Sequence, residues 1–303
     1  MPDKLFGRRY RVLVSAGNGT ALDVSQLRCT FIIEKTMDMQ LNYSEVAIYN
    51  LAPKTETTII RQGNRCIVEA GYEGEQYGVI FNGSVYQPIR EKEDGVTYKL
   101  RLRSLDGDGF MNVNFISASL RGNVTPREVV DQCVSKVSTP AELGSISSGL
   151  SSKGLARGRV LFGQPKEYLR QLAKSEKAQF YMDDGKVNII KAADTSKETI
   201  SLTPTSGLIG APTQTENGVQ AVSLLNPRIK INSLVHIDSR YVQASQVQVD
   251  QLQSPLDVNG LYRVISLTHR GDTRGNDWYT EINAVSQVAG IPALMQDGNI
   301  NPW

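Results

Sequence analysis

Only two histidines and three cysteines occur in 303 residues. Cys29, Cys66 and Cys133 are odd in number, lie far apart and include no Cys-x-x-Cys pair, which argues against a disulfide framework or a zinc site. A reducing compartment fits them, as small buried hydrophobes in two strands and on one helix face. Long apolar runs are lacking too. Met1 to Arg11 carries basic residues with no apolar stretch behind them, and no later segment reaches the length that crosses a bilayer, so neither export nor membrane insertion is expected. Nor is one sign of charge in excess: Lys+Arg 33 against Asp+Glu 31 leaves a formal +2 and no global electrostatic reason to bind nucleic acid or anionic lipid.

Recognisable chemistry is equally sparse. His236 falls in an alternating strand and His269 at the edge of a turn, and no carboxylates stand near either at metal-ligand spacing. Asp106-Gly107-Asp108-Gly109 lacks the further oxygen ligands of a calcium loop and reads as a turn ending a strand. Gly144 to Gly149 has the glycine spacing of a phosphate loop without the following Lys-Ser or Lys-Thr, and Gly154, Gly158 and Gly163 form no dinucleotide fingerprint. There is no Gly-x-Ser-x-Gly elbow, and Glu91, Glu93 and Asp94 cluster in a polar hairpin tip, not in the pattern of glycosidase carboxylates. No catalytic residue, cofactor or metal is assigned, and the chain is expected not to be an enzyme.

What is present is β pattern. Tyr10–Val14, Leu27–Lys35, Ser44–Leu51, Arg65–Tyr72, Gly78–Pro88 and Thr97–Leu105 are rich in Val, Ile, Tyr, Phe and Thr and are bounded by turn residues. In the last of these Tyr98, Leu100 and Leu102 share one face and Lys99, Arg101 and Arg103 the other. Ala52 to Asn64 reads as a short helix with Pro53 at its start. With Arg61, Arg65, Arg228 and Lys230, the basic strand face could form a local positive ridge, though without aromatic interleaving.

A mixed block follows. Thr125-Pro126-Arg127-Glu128 is a capping box, and Val129, Val130, Cys133, Val134 and Val137 then fall on one helical stripe. Pro140 to Gly158 reads as a Ser- and Gly-rich loop, and Pro165 starts a second helix with Tyr168, Leu169, Leu172 and Ala173 inward. Asp184-Gly185 then turns Gln179–Met182 into Lys186–Ile190. β character returns in Val219–Leu224, Leu234–Ile237, Leu261–Leu267 and Asp277–Val285. This second β block echoes the first: core strand, strand opening near glycine, polar turn, alternating final strand. The expected fold is mainly β with a smaller α/β (α+β) part, divided at 1–109, 110–198 and 199–289, with a tail at 290–303.

The run Leu224-Leu225-Asn226-Pro227-Arg228-Ile229, then Val235-His236-Ile237-Asp238, Gly260-Leu261-Tyr262-Arg263-Val264 and above all His269 to Thr280 resembles the baseplate hub proteins of contractile-tailed phages. The resemblance extends to the order of blocks across nearly the whole chain. It implies two tail-tube-like β-barrel domains flanking a middle α/β domain, and a homotrimer that adapts a six-fold tail tube to a three-fold spike. It further implies tail tube proteins above, a spike or tip protein below, baseplate wedge proteins around, and contact with the tape measure protein. Phage DNA would pass without specific binding, and the chain would reside in the virion after assembly in the host cytoplasm. A hub component of a type VI secretion or tailocin-like machine is the alternative, disfavoured by the lack of a repetitive β-helix segment before Trp303; a carbohydrate-binding or hydrolytic tail protein is a more distant one. In the tail, Leu294, Met295 and Trp303 are the expected interface residues, because an apolar segment too short for its own core needs a neighbour to cover it.

Overall fold

A computed structural model describes residues 6–15, 20–61, 63–74, 76–194, 196, 198–215, 218–243 and 260–286. The tail residues Leu294, Met295 and Trp303 lie outside the described residues. The chain clusters into two compact units, with changes of unit at 106/107 and 194/195 and a short excursion over Met37–Leu41. Residues from the first and the last β blocks belong to the same unit.

That unit is built on strands β1 (Arg8–Ser15), β2 (Ala21–Asp23), β3 (Cys29–Thr36), β4 (Tyr43–Tyr49), β5 (Arg65–Tyr72), β6 (Tyr77–Lys92) and β7 (Tyr98–Leu105), with helix α1 (Pro53–Ile59) between β4 and β5. After the second unit's strands β8 to β12, the chain returns with β13 (Thr199–Leu202), β14 (Leu208–Thr215), β15 (Gly218–Leu224), β16 (Leu234–Ile237), β17 (Leu261–Asp272) and β18 (Trp278–Ser286). All thirteen join one sheet in the order β14-β15-β18-β17-β3-β4-β7-β6-β5-β1-β2, with β16 also on β17 and β13 on β16. The junction is β17 on β3, antiparallel from Ser266↔Thr36 to Asp272↔Thr30. No pairing among the described residues closes this order into a barrel.

The echo between the β blocks is a repeat of topology. β3-β4-β7-β6-β5 and β14-β15-β18-β17-β16 are the same five-strand order. The equivalent strands β6 and β17 also bulge against β7 and β18: Tyr86 is the extra residue between Val85↔Ser104 and Gln87↔Arg103, and Ile265 between Val264↔Ala284 and Ser266↔Asn283. A bulge adds twist and bends its strand, so the two copies curve at an equivalent point. The two ends of the main strand order are blunted. β2 has three residues, and β14 carries Pro212 and a bulge between Ile209 and Thr213, features that discourage addition of a further strand.

One side of the first copy is a continuous core of Val12, Val14, Phe31, Ile33, Val46, Ile48, Val68, Phe81, Leu100 and Leu102 with Leu225 and Trp278 from the last block. Cys29 and Cys66 are buried in it. Burial pushes both thiols up to about 12, as it does Cys133 in the other unit. All three should therefore resist a maleimide at pH 7.5 in the native protein and react only on unfolding, because the thiolate is the attacking species. Stoichiometric labelling of any of them under native conditions would contradict this burial.

The second unit carries β8 (Ile116–Leu120), β9 (Glu142–Ile146), β10 (Arg159–Gly163), β11 (Ala178–Asp183) and β12 (Lys186–Lys191), helices α2 (Pro126–Ser135) and α3 (Pro165–Ser175), and a π-helical turn over Gly109–Val113. α2 starts at the expected capping box, in which Thr125 Oγ1 accepts from the Glu128 amide and the Glu128 carboxylate accepts from the Thr125 amide. Its apolar face, Val129, Val130, Cys133 and Val134, packs with Leu161, Leu169, Phe180, Val187 and Ile189. The expected loop over Pro140 to Gly158 is corrected in one stretch: β9 lies within it and pairs in parallel with β12. Asn188 explains the fit. Its Oδ1 accepts from the Ser145 amide at 2.8 Å, and a Cβ on Gly144 would stand 2.3 Å from that oxygen, so only glycine lets the strand approach. No helix among the described residues is long and apolar enough to cross a membrane.

Candidate functional site

The hairpin β17–β18 carries the most distinctive sequence run, His269 to Thr280. Trp278 enters the core, 2% exposed, with ring centroids 5.5 Å from Phe31 and 6.0 Å from Tyr10, both edge-on. Its Nε1–H donates to the Gly71 carbonyl at 3.3 Å, and the Arg8 guanidinium lies 5.3 Å from its ring centre. Tyr279 points to the opposite face and is half-buried, as strand alternation requires.

The turn of this hairpin is held by the first β block. Arg8 donates to the carbonyls of Asp272, Gly275 and Asn276. Arg28 donates to both carboxylate oxygens of Asp272, at 3.3 and 2.7 Å, in the bidentate geometry that makes such pairs strong. The Cys29 amide donates to Thr273 Oγ1, and the Thr273 amide donates back to the Cys29 carbonyl. The turn is short, because β17 continues to Asp272 and β18 begins at Trp278. Neither Gly271 nor Gly275 is at positive φ. Gly271 is required for close approach: a Cβ there would stand 2.2 Å from the Phe31 ring. His269 is buried and its Nδ1 lies 2.8 Å from Thr280 Oγ1, the arrangement of a structural histidine.

Burial would raise the Asp272 carboxyl, but the Arg28 hydrogen bond, the Arg274 and Gly275 amides and the Arg28 charge outweigh it and hold the group below the usual carboxylate range. A depressed folded value means that the stabilisation is complete above the unfolded value near ~4 and is lost as pH falls through the folded value. Asp272→Asn should therefore melt below the wild type at pH 7, and the gap should narrow progressively as pH drops below about 4. A gap that stays constant in melting curves from pH 7 to pH 2.5 would show that the charge is not what anchors the turn.

The expected positive ridge is corrected in part, by the partners of four of its cations. On the face of β4, β7 and β6 away from the core, Arg101 pairs with Glu45 and Glu91, Arg103 with Glu45, and Lys99 with Glu91 and Glu93, at 2.7 to 3.7 Å. Arg228 pairs with Glu198. Cross-strand neighbours of opposite sign stabilise a sheet and leave this face near electrical balance. Two of the other segments weighed in the sequence form turns. Asp94 closes the β6–β7 tip by accepting from the Val96 and Thr97 amides, and the Met111 amide donates to the Gly107 carbonyl in the turn after β7.

One surface in the second unit was not anticipated. On the outer side of the β8–β10 pair, Val113, Phe115, Val160 and Phe162 are 69%, 51%, 66% and 69% exposed, and the two phenyl rings meet edge-on at 4.8 Å. Tyr168 of α3 fixes this presentation: its hydroxyl accepts from the Phe162 amide at 2.8 Å and donates to the Phe162 carbonyl at 2.9 Å. Asn114, buried and bonded to the Thr139 amide and carbonyl, turns Val113 and Phe115 outward on either side of it. The sequence signal was a Val-x-Phe pair and a Val-x-Phe pair at strand spacing, which period alone cannot tell from buried residues.

Solved structures share this fold over nearly the whole chain. The 43 kDa tail protein of prophage MuSo2 from Shewanella oneidensis superposes with a TM-score of 0.60 at 14% identity, covering 94% of this chain and 99% of that one. The tail protein from Neisseria meningitidis MC58 gives 0.59 at 10% identity, covering 97% and 99%. The E. coli c3393 protein, described as a type VI secretion component similar in structure to the T4 tail proteins gp27 and gp5, gives 0.54 at 7% identity, covering 93% and 75%. At these identities the likeness is one of fold. No curated protein matches the chain in sequence. The baseplate hub gp41 profile, in contrast, matches residues 10–283, a span that includes every described residue of the second unit and both copies of the repeated sheet as far as Asn283. The chain belongs to the baseplate hub gp41 family of phage tail proteins.

Proposed function

We propose that three copies of this chain close into a ring at the baseplate and join the six-fold tail tube to the three-fold spike. The observation that carries this reading is the repeated strand order, β3-β4-β7-β6-β5 and β14-β15-β18-β17-β16, within one chain. Three chains then offer six equivalent sheets upward and three equivalent surfaces downward. In this reading each copy acts as a tube-like domain, 1–109 and 199–289, and the residues at 110–198 form the middle domain between them in sequence. A closed ring satisfies head-to-tail contacts that would otherwise propagate into a filament. The role is mechanical, not catalytic. DNA passes without specific capture, in keeping with the ion-paired face of β4, β7 and β6, since each extra unpaired cation would add salt-dependent phosphate affinity. Leu294, Met295 and Trp303 are assigned to contacts with a neighbouring subunit or the spike. The likeness to a type VI secretion component favours, as a second reading, the same role in a related injection machine.

Immunogold labelling of purified tails tests the placement. A single cluster of label at the end of the tail away from the head is expected. Label along the tube or at the neck would overturn the reading.

A further inference from the structure

The hairpins β6–β7 and β17–β18 are equivalent residue by residue, yet one is covered and the other is not. Their last pairs are Lys92↔Tyr98 and Gly271↔Trp278, and the Glu93 amide donates to the Thr97 carbonyl as the Asp272 amide does to the Asp277 carbonyl. Just before each bulge the matching residue is bonded by the two residues that precede the neighbouring strand: Val85 by Gly63 and Asn64, Val264 by Asn232 and Ser233. Tyr98 thus stands where Trp278 stands, and Pro88 and Arg90 stand where Leu267 and His269 do.

Their surroundings differ. Leu267, His269 and Trp278 are 2%, 1% and 2% exposed, because beyond its bulge β17 lies on β3. On β6 the pairing with β5 stops at Ser84, and no described strand lies on that side after the bulge. Arg90 is exposed there, and Tyr98 is 43% exposed. Charge does not select what covers this hairpin: Glu91 and Glu93 are paired with Arg101 and Lys99, and Arg90 and Lys92 lie over the Tyr98 ring. The free backbone edge does select, because it calls for a strand. A guanidinium on the ring is no bar to burial, since Arg8 lies over Trp278 in the same way.

The repeat names the strand. β14 is the counterpart of β3, and across the paired strands Gln214 and Thr215 take the positions of Ile33 and Glu34. Where β17 covers β3 over seven residues, the described residues place only Gln243 on the outward side of β14, accepting from the Gln214 amide and donating to the Pro212 carbonyl. Pro212 and the bulge leave a short edge at residues 213–215, too short for a stray strand and sufficient for one already placed by the rest of its sheet.

We propose that the β6–β7 hairpin of one chain lies along β14 of a second chain as β17–β18 lies along β3 within the chain, with Arg90 opposite Gln214, Ile89 opposite Thr215, and Tyr98 covered by the second chain. The Gln214 amide then exchanges the Gln243 carbonyl for that of Arg90. Each chain offers one such hairpin and one such edge, so the contact is head to tail and continues until a ring closes. It rests on the ring reading in requiring like chains side by side, and adds the strands that join them.

The native thiols are buried and raised to about 12, so introduced cysteines are read without background. Because Glu93 bonds toward β7, so does Ile89, and its pair with Thr215 is of the close type without mutual hydrogen bonds, about 4.5 Å between Cα atoms and within disulfide reach. Tails assembled from co-expressed I89C and T215C chains, one of them tagged, should on oxidation give a tagged–untagged heterodimer about tenfold above either homodimer, and I89C with A211C should give none. Homodimers in equal amount, a link within one chain, or equal linking to T215C and A211C would each overturn the contact. A second measurement covers failure of the cysteine chains to enter tails. A Y98S chain, co-expressed with an equal amount of wild type, should be incorporated about tenfold less, while its thermal midpoint as pure protein stays within about 2 °C. Equal incorporation, or a midpoint that falls further, would overturn the contact. A ladder from the I89C/T215C double variant that ends at a number other than three would contradict the trimer and leave the contact standing. A three-fold ring in tails that carry both cysteines and do not crosslink would do the reverse.

Discussion

Trp278→Ala should lower the stability of the protein by about 3–5 kcal/mol, read as a shift of the urea midpoint at unchanged slope. The size follows from what the indole does. It is fully enclosed between Phe31 and Tyr10, donates to the Gly71 carbonyl and lies beneath the Arg8 guanidinium. Removing it leaves a cavity where residues of the first and last β blocks share one core, and strips a buried carbonyl of its donor. Trp278→Phe keeps most of the volume and loses the hydrogen bond, so its effect should be the smaller of the two. A loss below about 1 kcal/mol for the alanine variant would mean that the core closes over the gap and that the hairpin is held by its turn alone.

Val130→Asp should be as damaging to the second unit. Val130 is fully buried on the α2 face with Leu161, Leu169 and Phe180 in the same core. A carboxylate there has no cation among those neighbours and costs several kcal/mol, a large part of a domain's total stability of about 5–15 kcal/mol. Soluble yield and the thermal midpoint report it. Arg127→Ala on the same helix, at a half-exposed position whose pair with Asp131 is of the weak i,i+4 type, should stay within about 0.5 kcal/mol of wild type. Equal effects of the two substitutions would show that the helix does not present this face to the core.

The contrast between these residues marks what local sequence can carry. α2 was legible because the Thr125–Glu128 box and its apolar stripe are complete within a dozen residues. The β11–β12 hairpin was legible because Asp184 and Gly185 both take positive φ, 52° and 78°, as a two-residue turn of that type demands. The alternation of β7 reported its buried face at Leu100 and Leu102, whereas Tyr98 at the strand's start is exposed. It could not report that β17 lies against β3, since period fixes which face is buried and says nothing of which strand stands alongside. β8 and β10 were missed for a related reason: each has five residues, and Ile116 and Gly163 find one another only through a pairing across more than forty positions. β2, β9, β13 and β14 are likewise short or interrupted by glycine or proline, and partner strands sustain them more than propensity does.

The candidate sites divide along the same line. That His269 to Thr280 matters was visible from its resemblance to baseplate hub proteins, yet its work is done by residues more than two hundred positions away, Arg8, Arg28 and Cys29. Gly271 makes room for Phe31, a contact no local pattern contains. The cations of β7 looked like a ridge because their glutamate partners stand on neighbouring strands. Exposure of Phe115 and Phe162 was hidden for the opposite reason, since aromatic strand residues are usually read as core.

The ring is the central claim, and an averaged image of the tail end, with symmetry left free, tests it most directly. The account predicts three copies of this chain around the axis, each offering its two equivalent sheets to the tube above. Six copies in a ring of single subunits, or a density with no three-fold relation between copies, would contradict it.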